Sequence, residues 1–414
     1  MTETIPTTET EGEPANALAV PSFRAFWFNG LTFFMASNSL RFVYGWVVLD
    51  GLGRGEAAQG FVVFILGLPA IFLLLPAGVW ADRIDPKRML LASQTFLLVV
   101  LAVTAVAMGD GAGTMTLLVV SAVIAGTASA IGGPVRQSLV PALLPPKLLF
   151  NGIAVNALAM TSSMVFGAVL AERFGTWFGF DGAFWWMVGL LILGIAALTL
   201  MQSPGPATTG EVTTMRRAIG EGMRFVWNER AIRTLFILLS ISGFLMTPIM
   251  FVTIQAHVKA ELGRPSSDAA PILALMGLGI ALSSVFIMRR GNMADKGVKF
   301  MRAMVGGTTI MTLMGFTTAY WQMLTLGLLM GLCGGFFINM NQGLIQTHTP
   351  KEVMGRVMGL YALVQIGLTP FGAVLIGVLA ESVGTGPAMA MAGGLALSLV
   401  LLIYATARSI RELA

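Results

Sequence analysis

Apolar residues along this chain run in blocks of about 20, the length an α-helix needs to cross roughly 30 Å of hydrocarbon, with short polar turns between them. Twelve blocks are read, near residues 24–48, 59–81, 89–109, 115–137, 148–171, 183–202, 234–257, 270–289, 303–320, 322–345, 356–380 and 387–407. The pattern predicts an all-α membrane protein of twelve transmembrane helices, with the boundary at Tyr320 to Gln322 the least marked. Ahead of the first block, Glu3, Glu9, Glu11 and Glu13 make the chain polar and acidic, without the basic start and apolar core of a signal peptide. Residues 1–21 are read as a disordered cytoplasmic tail.

Composition agrees: 56% of residues are hydrophobic and 11% charged, with a mean hydropathy of +0.82, whereas soluble domains carry about 25% charged residues. Two histidines and the single Cys333 leave no material for a disulfide framework, a Cys-rich zinc site or an HExxH motif. No G-x-x-x-x-G-K-[ST] loop for an ATP-driven pump occurs either. No cofactor or metal is expected, and the chain is not read as an enzyme. The net charge of +5 lies in loops; with both termini inside, 20 of the 25 Lys and Arg fall on cytoplasmic segments. This predicts a multi-pass protein of the cytoplasmic (inner) membrane with both termini cytoplasmic, and no nucleic-acid partner.

Residues 203–233 form the longest polar interruption and open with Ser203-Pro204-Gly205-Pro206. They divide a six-helix half at 22–202 from a second at 234–407, which leaves 408–414 as a cytoplasmic tail. Within the interruption, Met215 to Arg233 places Ile219, Met223, Val226 and Trp227 on one face and Arg216, Glu221, Arg224 and Arg230 elsewhere. That is the pattern of a basic amphipathic helix on a leaflet surface, or simply of a tether. The halves repeat one another. Gly78-x-x-x-Asp82-Arg83 recurs as Gly291-x-x-x-Asp295-Lys296, and at a separation of 205 Gln137-x-Leu139-Val140 recurs as Gln342-x-Leu344-Ile345 and Gly167-Ala168-Val169-Leu170 as Gly372-Ala373-Val374-Leu375. Ala171-Glu172 matches Ala380-Glu381 at 209, which implies four extra residues in the second copy. The repeats are parallel, related by an axis along the membrane normal.

On these residues the chain resembles the major facilitator superfamily, over nearly its whole length. Gly78-Val-Trp-Ala-Asp82-Arg83-Ile-Asp-Pro-Lys87-Arg88 is similar to the family's signature after helix 2, with Asp85-Pro86 in place of the usual glycine and first arginine. Glu221 to Val226, Arg136 to Pro141 and Gly355 to Met358 look like the efflux branch that contains enterobactin and macrolide exporters. The resemblance implies a secondary active transporter working by alternating access, with antiport as its mode. A carboxylate ending helix 2 can pair with basic residues and with a helix N-terminus of the opposite half, closing the inner mouth. Asp82, Arg83 and Arg88 are therefore assigned to a gate, with Asp295 and Lys296 as a looser second copy, since lysine lacks the bidentate fork.

Substrate residues in such a fold face a central cavity between helices 1, 4, 7 and 10. On helix 1, Asn38 and Arg41 share a face with Ser37 and Tyr44; a guanidinium within a span marks a site, or else snorkels to the outer headgroups. Thr127 and Ser129 on helix 4, Thr247 and Gln255 on helix 7 and Asn339 on helix 10 are the other candidates, each also explicable as interhelical glue. No Asp or Glu lies deep in a span, and Val165-Phe166-Gly167-Ala168 lacks the Gly-Pro pair of the family's antiporters, so Asp50, at the end of the helix carrying Arg41, is the candidate for proton coupling. Export of an amphipathic solute, drug-like or siderophore-like, is the leading reading. A lipid or lysolipid transporter and a non-transporting receptor or assembly subunit stay open as alternatives. The expected partners are a small amphipathic substrate, membrane lipids and protons, with the chain a monomer.

Overall fold

The computed structural model describes residues 16–205, 215–290 and 295–406, except the side chains at 75, 78–79, 81–83, 134, 137–138, 150, 215–219 and 351–352. The described residues contain helices and no strand. The first half comprises α1 (Pro21–Trp46), α2 (Glu56–Arg83), α3 (Pro86–Gly109), α4 (Met115–Leu143), α5 (Leu149–Phe178) and α6 (Phe180–Thr199). After a linker helix α7 (Met215–Asn228), the second half comprises α8 (Arg230–Ile241), α9 (Thr247–Ala260), α10 (Ala269–Arg290), α11 (Lys296–Met314), α12 (Tyr320–His348), α13 (Lys351–Gly367), α14 (Thr369–Val383) and α15 (Thr385–Thr406). A π turn at Ser242–Met246 joins α8 to α9 in one rod, and α13 and α14 form another, broken at Leu368. Twelve rods result, six on each side of the linker. Ten are long and apolar enough to cross a membrane; the other two carry Arg24, Asn29, Asn38 and Arg41 in α1, and Lys296, Lys299 and Arg302 in α11.

Local chemistry explains the rod ends. Asp85 caps α3, its side chain accepting from the Lys87 and Arg88 amides, while Pro86 supplies a helical φ at the first position. Gly179 and Gly384, with φ 88 and 92°, stop α5 and α14 where an L side chain would be strained. These two stops lie 205 residues apart, so the spacing of the other repeats holds to the helix ends and the expected four-residue insertion is absent. Pro248 lacks an amide hydrogen and its ring crowds the preceding turn; the π turn just before it absorbs the mismatch.

Repeated sequence does the same work twice. Gly167 lets α5 approach α1, and its carbonyl accepts from Ser39 Oγ at 2.7 Å. Its counterpart Gly372 lets α14 lie against Phe244 and Pro248 of the corresponding rod. The linker helix is shorter than 215–233, ending at Asn228 before α8 begins. It seats Val226 and Gly222 on α13 and pairs Glu221 with Arg356, while Met223 and Trp227 stay exposed. The predicted apolar face is therefore split between a protein contact and an open side, because Met223 and Trp227 each follow a contact residue, Gly222 and Val226, by one position, about 100° around the helix.

Candidate substrate cavity and gates

The polar stripe of α1 faces a cavity of about 480 Å³ at mid-depth between the halves. Its wall is mostly apolar and adaptable, with six methionines, Met164, Met246, Met250, Met276, Met304 and Met330, and with Phe251 and Phe337. Arg41 is the one charged residue among the described residues lining it. The Arg41 side chain is exposed, its guanidinium carbon 5.6 Å from the ring centroid of Phe251 on α9, a contact that crosses from one half to the other. Asn38 also lines the cavity and donates from Nδ2 to Ser163 Oγ at 3.1 Å. Ser37 Oγ, one turn before Arg41, is buried without a hydrogen-bond partner.

Of the other predicted substrate residues, Thr247 lines the cavity and returns its hydroxyl to Ser242 O at 3.1 Å. Thr127 does not reach it; it donates to Val123 O at 2.8 Å, while Ser129 two positions on faces the space. Asn339 turns to α10, donating to Ser284 Oγ at 2.9 Å and to Gly335 O at 2.7 Å. Gln255 shares the face of Phe251 but lies one turn beyond the cavity. Tyr44 is fully buried, donating to Ser121 Oγ at 2.8 Å. The sequence reading did not find Gln365, Thr369 or the sole cysteine, Cys333, all of which line the cavity. Cys333 falls on a Gly-rich stretch with Gly331 and Gly334, and that pattern at helical spacing was the available signal.

A seal closes the cavity on the side away from the linker, here termed distal. Gln59 Nε2 of α2 donates to Gln255 Oε1 at 2.8 Å and to Phe251 O at 3.1 Å, and Gln255 Nε2 donates to Phe42 O at 2.9 Å. Both amides are buried. Farther out, Asp50 is 2.8 Å from Lys259 Nζ and accepts from Ser266 N at 3.1 Å and Ser266 Oγ at 2.8 Å. Glu381 at the end of α14 accepts from Ala57 N at 2.9 Å, its negative charge set against the positive N-terminus of α2. Close backbone contact between α2 and α14 backs these bonds; a Cβ at Gly60 would strike Ala373 O and one at Gly377 would lie 2.6 Å from Glu56 O.

On the linker side, the side chains of Asp82 and Arg83 lie outside the described residues, although both end α2. Arg88 is 84% exposed and stands 3.9 Å from Asp85. Asp295 heads α11 in the left-handed region at φ 53°, exposed, with Lys296 following. Asp85 ties this loop to the start of the linker through Ser203 Oγ at 2.6 Å, and Lys87 Nζ donates to Thr199 O at 2.8 Å, closing the end of α6. Partial burial raises the Asp85 pKa, but the hydrogen bonds from Ser203 and the Lys87 and Arg88 amides, with the Arg88 charge, outweigh it and hold the carboxyl below its ordinary value. Among the described residues, Asp85, Lys87, Arg88 and Asp295 make no bond to the opposite half.

Among the described residues, two sets of six rods surround an apolar cavity that bonds between them close at one end, the architecture of a polytopic membrane protein. The chain belongs to the Major Facilitator Superfamily, whose family profile matches residues 26–365 and again 249–412. It is 25% identical over 364 residues to the multidrug efflux pump Tap of Mycobacterium tuberculosis (strain ATCC 25618 / H37Rv), covering 82% of this chain and 83% of that one. Over 100 residues it is 39% identical to the multidrug resistance protein MdtG of Rahnella sp. (strain Y9602), covering 23% of this chain and 24% of MdtG. The solved nucleoside transporter NupG superposes with a TM-score of 0.74 at 12% identity, over 92% of this chain and 98% of NupG. A D-xylose-proton symporter does so at 0.73 and 12%, over 93% and 97%. The protein is thus a multi-pass membrane transporter and not an enzyme.

Proposed function

We propose that the protein is a secondary active exporter that takes an amphipathic solute from the cytoplasmic side into the central cavity and releases it on the far side by alternating access. The distal seal carries this reading. The described bonds between the halves lie at one end of the cavity, while the gate residues described at the other end stand apart from the opposite half. The linker side corresponds to the cytoplasm because 20 of 25 basic residues fall on it by the span count. The efflux names of Tap and MdtG support the direction. Asp50 receives Lys259 and two Ser266 donors at once, so its neutralisation by a proton would release three links between the halves, which makes it the proposed coupling group.

Cys333, native and unique, provides the test, since it lines the cavity. In oriented membrane vesicles, a membrane-impermeant maleimide should label it from the linker side and only slowly from the distal side. An imposed pH gradient should then drive a fluorescent amphiphile across proteoliposomes. Equal labelling from both sides contradicts the sealed state, and transport indifferent to the gradient removes the proton.

A further inference from the structure

We infer that the solute carried is an amphipathic anion, a single carboxylate or phosphate on an apolar body, and that Arg41 is the residue that reads its charge. This rests on the reading of the cavity as the transport site. Among the described residues lining the cavity one is charged, and it is a cation; none is acidic. A cationic solute would find no counter-charge there and would meet repulsion from Arg41. A neutral one would leave a guanidinium facing an apolar chamber with only an aromatic face for company.

Arg41 has no carboxylate within ion-pair distance among the described residues, and its recorded contact is the Phe251 ring at 5.6 Å. That contact is worth about 0.5–2 kcal/mol, whereas a charge-assisted, bidentate bond to an anion is stronger and fixes orientation. Ser37 Oγ lies one turn away on the same helix and is an unpartnered donor. Asn38 adds a second polar group between them, already oriented by its bond to Ser163. Around this polar corner the methionines and phenylalanines form a wall able to pack against hydrocarbon of varied shape. An anion drawn to Arg41 competes with Phe251 for the guanidinium. Arg41 adjoins Phe42, whose carbonyl accepts from Gln255, so the charged corner of the cavity lies beside the distal seal.

The test uses the full-length protein in nanodiscs of zwitterionic lipid, with dansyl-undecanoate, its methyl ester and dansyl-undecylamine as probes of one shape and three charges. The acid should bind at least about tenfold more tightly than the ester or the amine, the order of one charged hydrogen-bonded contact. Arg41→Ala should bring the acid to the level of the ester without changing the ester. Arg41→Lys should keep part of the preference, since it retains charge but not the fork, and it serves as the control should the alanine variant not be monodisperse. Equal binding of all three probes, or an acid preference that survives Arg41→Ala, overturns the anion while leaving the transport site standing. Failure of every probe to bind the wild type overturns the site as well. Displacement by laurate assigns a carboxylate and displacement by lauroyl-lysophosphatidate alone a phosphate, either of which sustains the class. Equal displacement by lauroyl-lysophosphatidylcholine overturns it.

Discussion

The side-chain amides of Gln59 and Gln255 meet at 2.8 Å across the boundary between the two halves, and they do so in space that Gly45 leaves empty. A Cβ at position 45 would collide with both amides. Gly45→Ala should therefore break the innermost layer of the distal seal without touching the cavity wall. The expected readout is faster maleimide labelling of Cys333 from the distal side, with linker-side labelling reduced. Unchanged labelling from both sides would mean that the pair packs against α1 but does not hold the halves together.

Asp50→Asn should shift the same equilibrium more gently. The pair with Lys259 is partly exposed, so it contributes at most about 1 kcal/mol. Weakening the two Ser266 bonds adds a comparable amount. A loss of about 1–2 kcal/mol changes the ratio of the two conformers roughly five- to thirtyfold. Distal accessibility of Cys333 measures it, and Lys259→Met should move it in the same direction.

Arg136 is buried on α4, its guanidinium carbon 4.4 Å from the Phe33 ring centroid, with Nη2 donating to Asn29 Oδ1 at 2.7 Å and with Nε and Nη1 unpartnered. A buried charge held this sparsely is a burden on folding. Arg136→Met should leave thermal stability in detergent unchanged or raise it, by up to about 1–4 kcal/mol. Asn29→Ala, which removes the guanidinium's acceptor and the bond to Gln94, should instead destabilise by about 1–3 kcal/mol. A sharp loss in Arg136→Met would show that its free nitrogens are satisfied by ordered water or an ion.

The Asp85 carboxyl is held below its ordinary value, so its contribution to folding has a defined sign. The stabilisation is fully present above the unfolded value near 3.8 and is lost as the pH falls through the lower, folded value. The difference in melting temperature between wild type and Asp85→Asn should accordingly be constant through neutral pH and shrink only below about pH 4. A difference that grows in acid would assign the effect to another group.

Hydropathy was sufficient to locate the rods, and the repeated motifs to pair the halves, because both depend on composition and spacing along the chain. Rotation and depth of individual side chains were less accessible. Asn339 lies two residues past Phe337, about 200° around the helix, and so turns from the cavity to α10. Thr127 and Ser129 differ by the same angle. Gln255 shows the other failure: four residues beyond Phe251 it keeps the right face, yet stands a turn too far out. In a span surrounded by lipid and by equally apolar neighbours, no polar stripe distinguishes these faces. Gln59 was passed over for a related reason, since near the end of a span it reads as an interfacial residue, and its significance exists only with Gln255 opposite.

The π turn at Ser242–Met246 winds one residue more per turn than the helices that flank it. Pro248 pins that surplus where it lies, because moving it onward would set the proline ring against an intact helical turn. One added residue turns everything beyond it by about 100° relative to an unbroken helix. The faces of α8 and α9 are therefore phased independently of each other, like two gears keyed differently on one shaft. Phe251 meets Arg41, and Gln255 meets Gln59, with the offset that this key supplies.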